Sequence, residues 1–142
     1  MKYLLDTNIC IYIINRKDPA LLGKLQAHRA EQLCISTITI AELEHGVAKS
    51  KRPDQNRVAL VSFLVPFTIL DFDQAAAAEY GDIRAALESQ GQPIGPMDLL
   101  LAAQARSRQL VLVSNNEAEF KRVGGLEVEN WVENVQKQKG DA

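Results

Sequence analysis

The sequence predicts an α/β domain built on a central, mainly parallel sheet of four to five strands with helices on both faces. Three observations lead there. Short apolar runs of strand character alternate with longer stretches of helical periodicity. Capping residues, glycines and prolines punctuate nearly every change from one to the other. A chain of 142 residues, 46% hydrophobic and 24% charged, is long enough to bury one core without disulfide or metal staples.

The first strand is Lys2-Tyr3-Leu4-Leu5, which ends on the helix-starting residues Asp6-Thr7-Asn8 before Ile9 to Ile14 resumes an apolar pattern. A strand that delivers a carboxylate at its carboxyl end and passes straight into a helix is the site-building unit of open α/β sheets. Asp18 and Pro19 are placed as cap and first residue of a second helix running toward Arg29. Leu33 to Ser36 is the second strand. A helix follows from about Thr39 to Ser50, carrying Glu42, Glu44 and His45. Pro53 and Asp54 start another, whose apolar positions Val58, Val61, Leu64 and Val65 have helical spacing. Pro66 ends it, and Phe67 to Phe72 is the third strand.

Asp73 caps a long helix to about Gln90, closed by Gly91. The turn Gln92 to Pro96 leads into a helix from Met97 to Arg108, which contains Asp98 and an almost wholly apolar face. Leu110 to Ser114 is the fourth strand. Asn115 to Phe120 makes a loop and one helical turn, and Gly124-Gly125 precede a short last strand between Leu126 and Trp131. Residues 1–132 form a single domain on this reading, with a polar tail over residues 133–142.

Composition excludes several classes. No apolar run approaches the roughly eighteen residues of a membrane span, and no basic, then apolar, leader opens the chain. Cys10 and Cys34 sit in apolar surroundings and read as small buried hydrophobes, which fits a reducing cytoplasm. A net charge of −2 speaks against holding nucleic acid by bulk positive charge, but leaves open a nuclease whose acids bind metal. There is no P-loop and no dinucleotide glycine fingerprint. His28 and His45 are not spaced as a metal pair and have no evident Ser or Cys companion, so a hydrolytic triad is not supported.

Four acids fall where this architecture places ligands. Asp6 follows the first strand, Glu42 lies near the start of the helix after the second, Asp98 opens its own helix, and Glu119 follows the fourth strand. Converging carboxylates repel one another, so such a cluster needs a cation or raised pKa values. Mg²⁺ and Mn²⁺ prefer such oxygen ligands, and a metal so held steadies charge on a phosphodiester under attack. Each acid also has an ordinary reading. Asp6 is a good helix cap, Thr39 and Glu42 have capping-box spacing, Asp98 suits the first turn after Pro96, and Glu119 lies beside Lys121 and Arg122. Thr7, Asn8, Ser114 and Asn116 are candidates to orient ligands or water, and equally ordinary turn residues. Glu44, Asp71, Asp73 and Glu79 read as solvated or capping. Lys49, Lys51, Arg52, Arg84, Arg106 and Arg108 read either as phosphate contacts or as plain surface charges.

The order of motifs adds a resemblance. Leu4-Leu5-Asp6-Thr7-Asn8 resembles the opening motif of the PIN-domain ribonucleases. Ser36 to Leu43 with Gly46 resembles their second, and Ile94-Gly95-Pro96-Met97-Asp98 with Ala102-Ala103 their third. Val113 to Phe120, with Val123 to Leu126 and Glu129-Asn130-Trp131, is similar to the ending of VapC toxins. The resemblance runs nearly the whole chain. It implies a PIN-like three-layer fold and a Mg²⁺- or Mn²⁺-dependent endoribonuclease, the cytoplasmic toxin of a type II toxin–antitoxin pair. It also implies a homodimer, a VapB-type antitoxin that inserts a basic residue among the acids, and a structured RNA substrate, with tRNA favoured. By motif position Asp6, Glu42 and Asp98 are the acidic ligands. Many PIN domains carry an Asp where this chain has Asn116, which leaves Glu119 as the fourth acid.

Two other readings use the same acids. A receiver-type signalling domain also gathers acids and Mg²⁺ at strand ends, but needs a phosphoacceptor Asp and a later Lys, and no Lys directly follows Leu110 to Ser114. A pure interaction module would use the acids only as helix caps.

Overall fold

The computed structural model describes residues 1–16 and 18–132; the tail expected over 133–142 lies outside them. The sheet comprises β1 (Tyr3–Leu5), β2 (Leu33–Ser36), β3 (Thr68–Leu70), β4 (Val111–Val113) and β5 (Val128–Glu129). All its pairings are parallel, in the order β3-β2-β1-β4-β5. The chain therefore lays β1, β2 and β3 outward in one direction, then returns to lay β4 and β5 on the other side of β1. That reversal makes the β1–β4 boundary the topological switch point, where open sheets form their ligand crevice.

The helices are α1 (Thr7–Asn15), α2 (Pro19–Gln26), α3 (Thr37–Ala48), α4 (Pro53–Leu64), α5 (Gln74–Ser89), α6 (Pro96–Ser107) and the single turn α7 (Glu117–Phe120). Caps set most of their starts. Asp6, Asp18, Ser36 and Asp73 each accept a backbone N–H of the first turn, and Pro19, Pro53 and Pro96 occupy the first helical position. Gly91 follows α5 at φ 65°, a left-handed conformation that glycine adopts without the clash of a Cβ.

The two faces of the sheet pack separate cores, as strands buried on both sides require. Leu5, Ile9, Ile35, Leu43 and Val113 meet Leu60 and Trp131 on one face; Leu4, Cys34, Leu112, Ile83, Leu99 and Phe120 fill the other. Cys10 and Cys34 are free, buried thiols, as their surroundings predict.

Two expectations require correction. The α3 helix begins at Thr37, capped by Ser36, so Thr39 and Glu42 do not form a capping box; Thr39 is already in the third helical position. Of the apolar positions named in and just after α4, Val58, Val61 and Val65 are 68%, 59% and 78% exposed, and only Leu64 packs against the core, beside Leu60 and Phe63. Helical spacing is real there, but the stripe its valines mark does not face the core.

Leu4 lies mid-strand and has no solvent exposure. Leu4→Ala leaves a cavity that neighbouring strands cannot close and should cost about 2–5 kcal/mol, read from the midpoint of urea unfolding.

Candidate metal-binding acidic site

The site forms where β1 ends beside β4. The Asp6 N–H donates to Val113 O at 3.1 Å, which brings the ends of the two strands together and seats Asp6 against Ser114. Asp6 is only 3% exposed. Its Oδ1 accepts the Ile9 N–H at 2.8 Å, and the Ser114 hydroxyl hydrogen-bonds to the same carboxylate. Ser114 in turn accepts the Asn116 N–H at 2.9 Å, so one buried hydroxyl ties the start of α1 to the loop after β4.

Glu42 arrives from the second turn of α3. The Thr7 hydroxyl lies 2.5 Å from Glu42 Oε1 and 3.2 Å from the Thr39 hydroxyl, locking the first turns of α1 and α3 to each other. Asp98 comes from the first turn of α6, a helix whose start lies at the carboxyl edge because it runs back across the sheet. Glu119 sits in α7 and is held at both oxygens: the Gly95 N–H donates to Oε1 at 2.7 Å, and Asn116 Nδ2 donates to Oε2 at 2.7 Å. Asn116 also hydrogen-bonds to Asp98. It therefore lies between the two acids.

Electrostatics show the four acids sharing one space. Burial pushes the Asp6 carboxyl up from 3.8 to about 6; the Ser114 and Ile9 hydrogen bonds oppose this, and the charges of Asp98 and Glu42 add to it. Asp98 is also raised, first by burial and then by Glu119 and Glu42. Glu119 goes the other way, lowered chiefly by the Gly95 N–H and by Asn116, with a contribution from Arg122. Among the described residues no Lys, Arg or His forms an ion pair with Asp6 or Asp98.

Gly95 leaves the space between two of the acids open. A Cβ there would lie 3.8 Å from both Asp98 Oδ2 and Glu119 Oε1, filling the cradle they form. Hard oxygen donors, partly desolvated and mutually repelling, suit Mg²⁺ or Mn²⁺. The acids nonetheless stop short of closing on one point: among the described residues no three His, Cys, Asp or Glu side chains are arranged as a ligand set. Asp6, Glu42 and Glu119 are each turned toward a donor of the protein, and a cation would compete with those hydrogen bonds.

Of the supporting candidates, Thr7, Ser114 and Asn116 each touch an acid, as described. Asn8 is exposed and makes no side-chain hydrogen bond among the described residues. Thr39, read from the sequence only as a helix cap, and Gly95, read only as part of a motif, were not named as site residues; their roles depend on contacts with residues 32 and 24 positions away. Glu79 is neither solvated nor capping, since Arg106 Nε lies 2.6 Å from its Oε2. Arg106 also holds Gly124 O, Arg108 pairs with Asp73, and Arg84 with Glu88, while Lys49, Lys51 and Arg52 are exposed without an ion pair among the described residues.

Comparison with known proteins agrees with this geometry. The PIN-domain family profile matches residues 3–126. The chain is 44% identical to the tRNA(fMet)-specific endonuclease VapC of Shigella flexneri over 92% of its length and 98% of the relative's. It is 47% identical to ribonuclease VapC2 of Haemophilus influenzae, over 93% and 99% of the two chains. Among solved structures it is similar to the VapBC2 complex of Rickettsia felis bound to a promoter DNA fragment. There the identity is 42%, the TM-score 0.87, and the coverage 92% of this chain and 99% of that one.

The folded protein holds the Asp6 proton up to about pH 6, whereas the unfolded chain releases it near 3.8. Across that window the native state binds more protons, so this residue's share of stability is whole below the unfolded value and falls as pH rises through 6, by about 3 kcal/mol at most. Asp6→Asn keeps an oxygen for the Ile9 N–H and removes the buried charge. In EDTA at pH 7.5 it should melt several degrees higher than the native protein and lose this pH dependence, as scanning calorimetry would record.

Proposed function

The chain belongs to the PIN-domain family and its VapC ribonucleases, and we propose that it cuts structured RNA as the toxin of a toxin–antitoxin pair. The observation that carries the reading is the gathering of Asp6, Glu42, Asp98 and Glu119 at the switch point of the sheet, with no ion pair to Asp6 or Asp98 among the described residues. We assign these four as the acids that hold Mg²⁺ or Mn²⁺. When bound, the metal supplies the positive charge that lets a phosphodiester approach this acidic edge and be attacked by water.

The chain's own residues do the positioning. Ser114 and the α1 amide hold Asp6 at the deep end of the site. The Thr7 hydroxyl sets the rotamer of Glu42, and Gly95 with Asn116 fixes Glu119 from two sides. Asn116 keeps Asp98 and Glu119 at a set separation while adding no negative charge of its own. Burial of Asp6 keeps water from screening its charge, which strengthens the pull on a cation.

The substrate we assign is initiator tRNA, supported by the named specificity of the Shigella relative. A VapB-type antitoxin is the partner, supported by the likeness to a VapBC complex, and a basic antitoxin residue placed among the acids would replace the cation. Residues 1–132 serve as the catalytic domain of a cytoplasmic homodimer. No described helix is long and apolar enough to cross a membrane.

Purified protein should cut total tRNA into discrete fragments with Mg²⁺ or Mn²⁺ and leave it intact in EDTA. Asp98→Ala should lower the rate at least about a hundredfold while folding normally; metal-independent cleavage, or an Asp98→Ala protein as active as the native one, would sink the assignment. Gly95→Ala gives a sharper check. Its backbone tolerates alanine at φ −57°, so the melting temperature should hold, while a methyl group between Asp98 and Glu119 should reduce cleavage about tenfold or more.

A further inference from the structure

The loop that carries Gly95 has a second side. Gly95 faces the Asp98 and Glu119 carboxylates, while Pro93, Ile94 and Pro96 beside it line a separate cavity of about 230 Å³ against α5. Tyr80 and Arg84 of α5 form the opposite wall, and the buried Leu87 and Leu99 lie on its inner side. Arg84 Nη1 donates to the Tyr80 hydroxyl at 3.0 Å, which steadies the ring and leaves the hydroxyl proton available. On the loop itself, Arg122 Nη1 donates to Pro93 O at 3.0 Å, and its charge reaches Glu119.

From this arrangement, and resting on the ribonuclease reading, we propose that the α5–loop cavity binds one unpaired base of the RNA next to the cleaved phosphate. Size, chemistry and position all favour that occupant. The space is smaller than the roughly 300–1,000 Å³ of pockets for drug-sized ligands and suits a single planar ring system. One wall is aromatic and the remainder mostly aliphatic, which accepts the face of any base, and the Tyr80 hydroxyl and Arg84 supply donors at its edge. The protein is net negative, so an anionic strand needs local cations: Arg122 flanks the loop that divides cavity from acids, and Arg84 stands on the cavity wall, paired with Glu88, which also lines it. A strand crossing the loop would place one nucleotide over the carboxylates and the next in the cavity.

Initiator tRNA is the probe, in two measurements. Binding by fluorescence anisotropy in EDTA avoids cleavage, and KM and kcat are measured with Mn²⁺. Tyr80→Ala should weaken binding roughly tenfold and raise KM more than it lowers kcat, while Tyr80→Phe, which keeps the ring, should restore most of the loss. With native protein, tRNAs made abasic at single positions beside the cleaved bond should show one site whose loss weakens binding to the same degree. Tyr80→Ala should be indifferent to that site. Wild-type cleavage with KM unchanged in Tyr80→Ala, or no position sensitive to base removal, would overturn this inference alone. A native protein that cuts no tRNA in either metal would instead overturn the ribonuclease reading, and the base pocket with it.

Discussion

Everything at the carboxyl edge of this sheet follows from placing a carboxylate where water hardly reaches it. Asp6 ends the central strand, and its charge is disfavoured by burial before any neighbour is counted. The protein tolerates it by surrounding it with donors, the Ile9 amide and the Ser114 hydroxyl, and the cation we propose would relieve the remaining imbalance. The same residue is therefore a helix cap and, in the function we propose, the anchor of the site. The two readings of Asp6 are not alternatives, because the cap geometry is what holds the carboxylate in place.

Topology explains why the other acids gather there. With β1 flanked by β2 and β4, α1, α3 and the loop after β4 begin at one edge, and α6, which precedes β4, starts there because it runs back across the sheet. Short polar links then set the separations. Thr7 joins α1 to α3 through Glu42, Asn116 joins α6 to α7 through Asp98 and Glu119, and Gly95 contributes both an amide and the absence of a side chain. Elsewhere Glu79 neutralises Arg106, and Asp73 pairs with Arg108, so those basic groups serve the packing of α5 against α6.

The helix α4 shows the opposite relation between pattern and packing. Its valines recur with helical spacing, yet Val58, Val61 and Val65 face outward, and Leu60, Phe63 and Leu64 make the contact with the core. Spacing specifies that apolar residues share a helix face; it does not specify what that face meets.

The order of elements, their parallel arrangement and most helix starts were legible in the chain, because caps, prolines and apolar periodicity act over a few residues. Asp18-Pro19, Asp73 and Pro96 begin their helices where local chemistry says they should. The positions of the four acids were legible too, since each sits near a strand end or within the first two turns of a helix. Tertiary structure decided what those residues touch. Ser36 displaced Thr39 as the cap of α3, freeing Glu42 to meet Thr7, and Asn8 was left in solvent while Gly95 entered the site. Those outcomes depend on contacts between residues tens of positions apart, set by helix packing and strand register, and no local propensity encodes them.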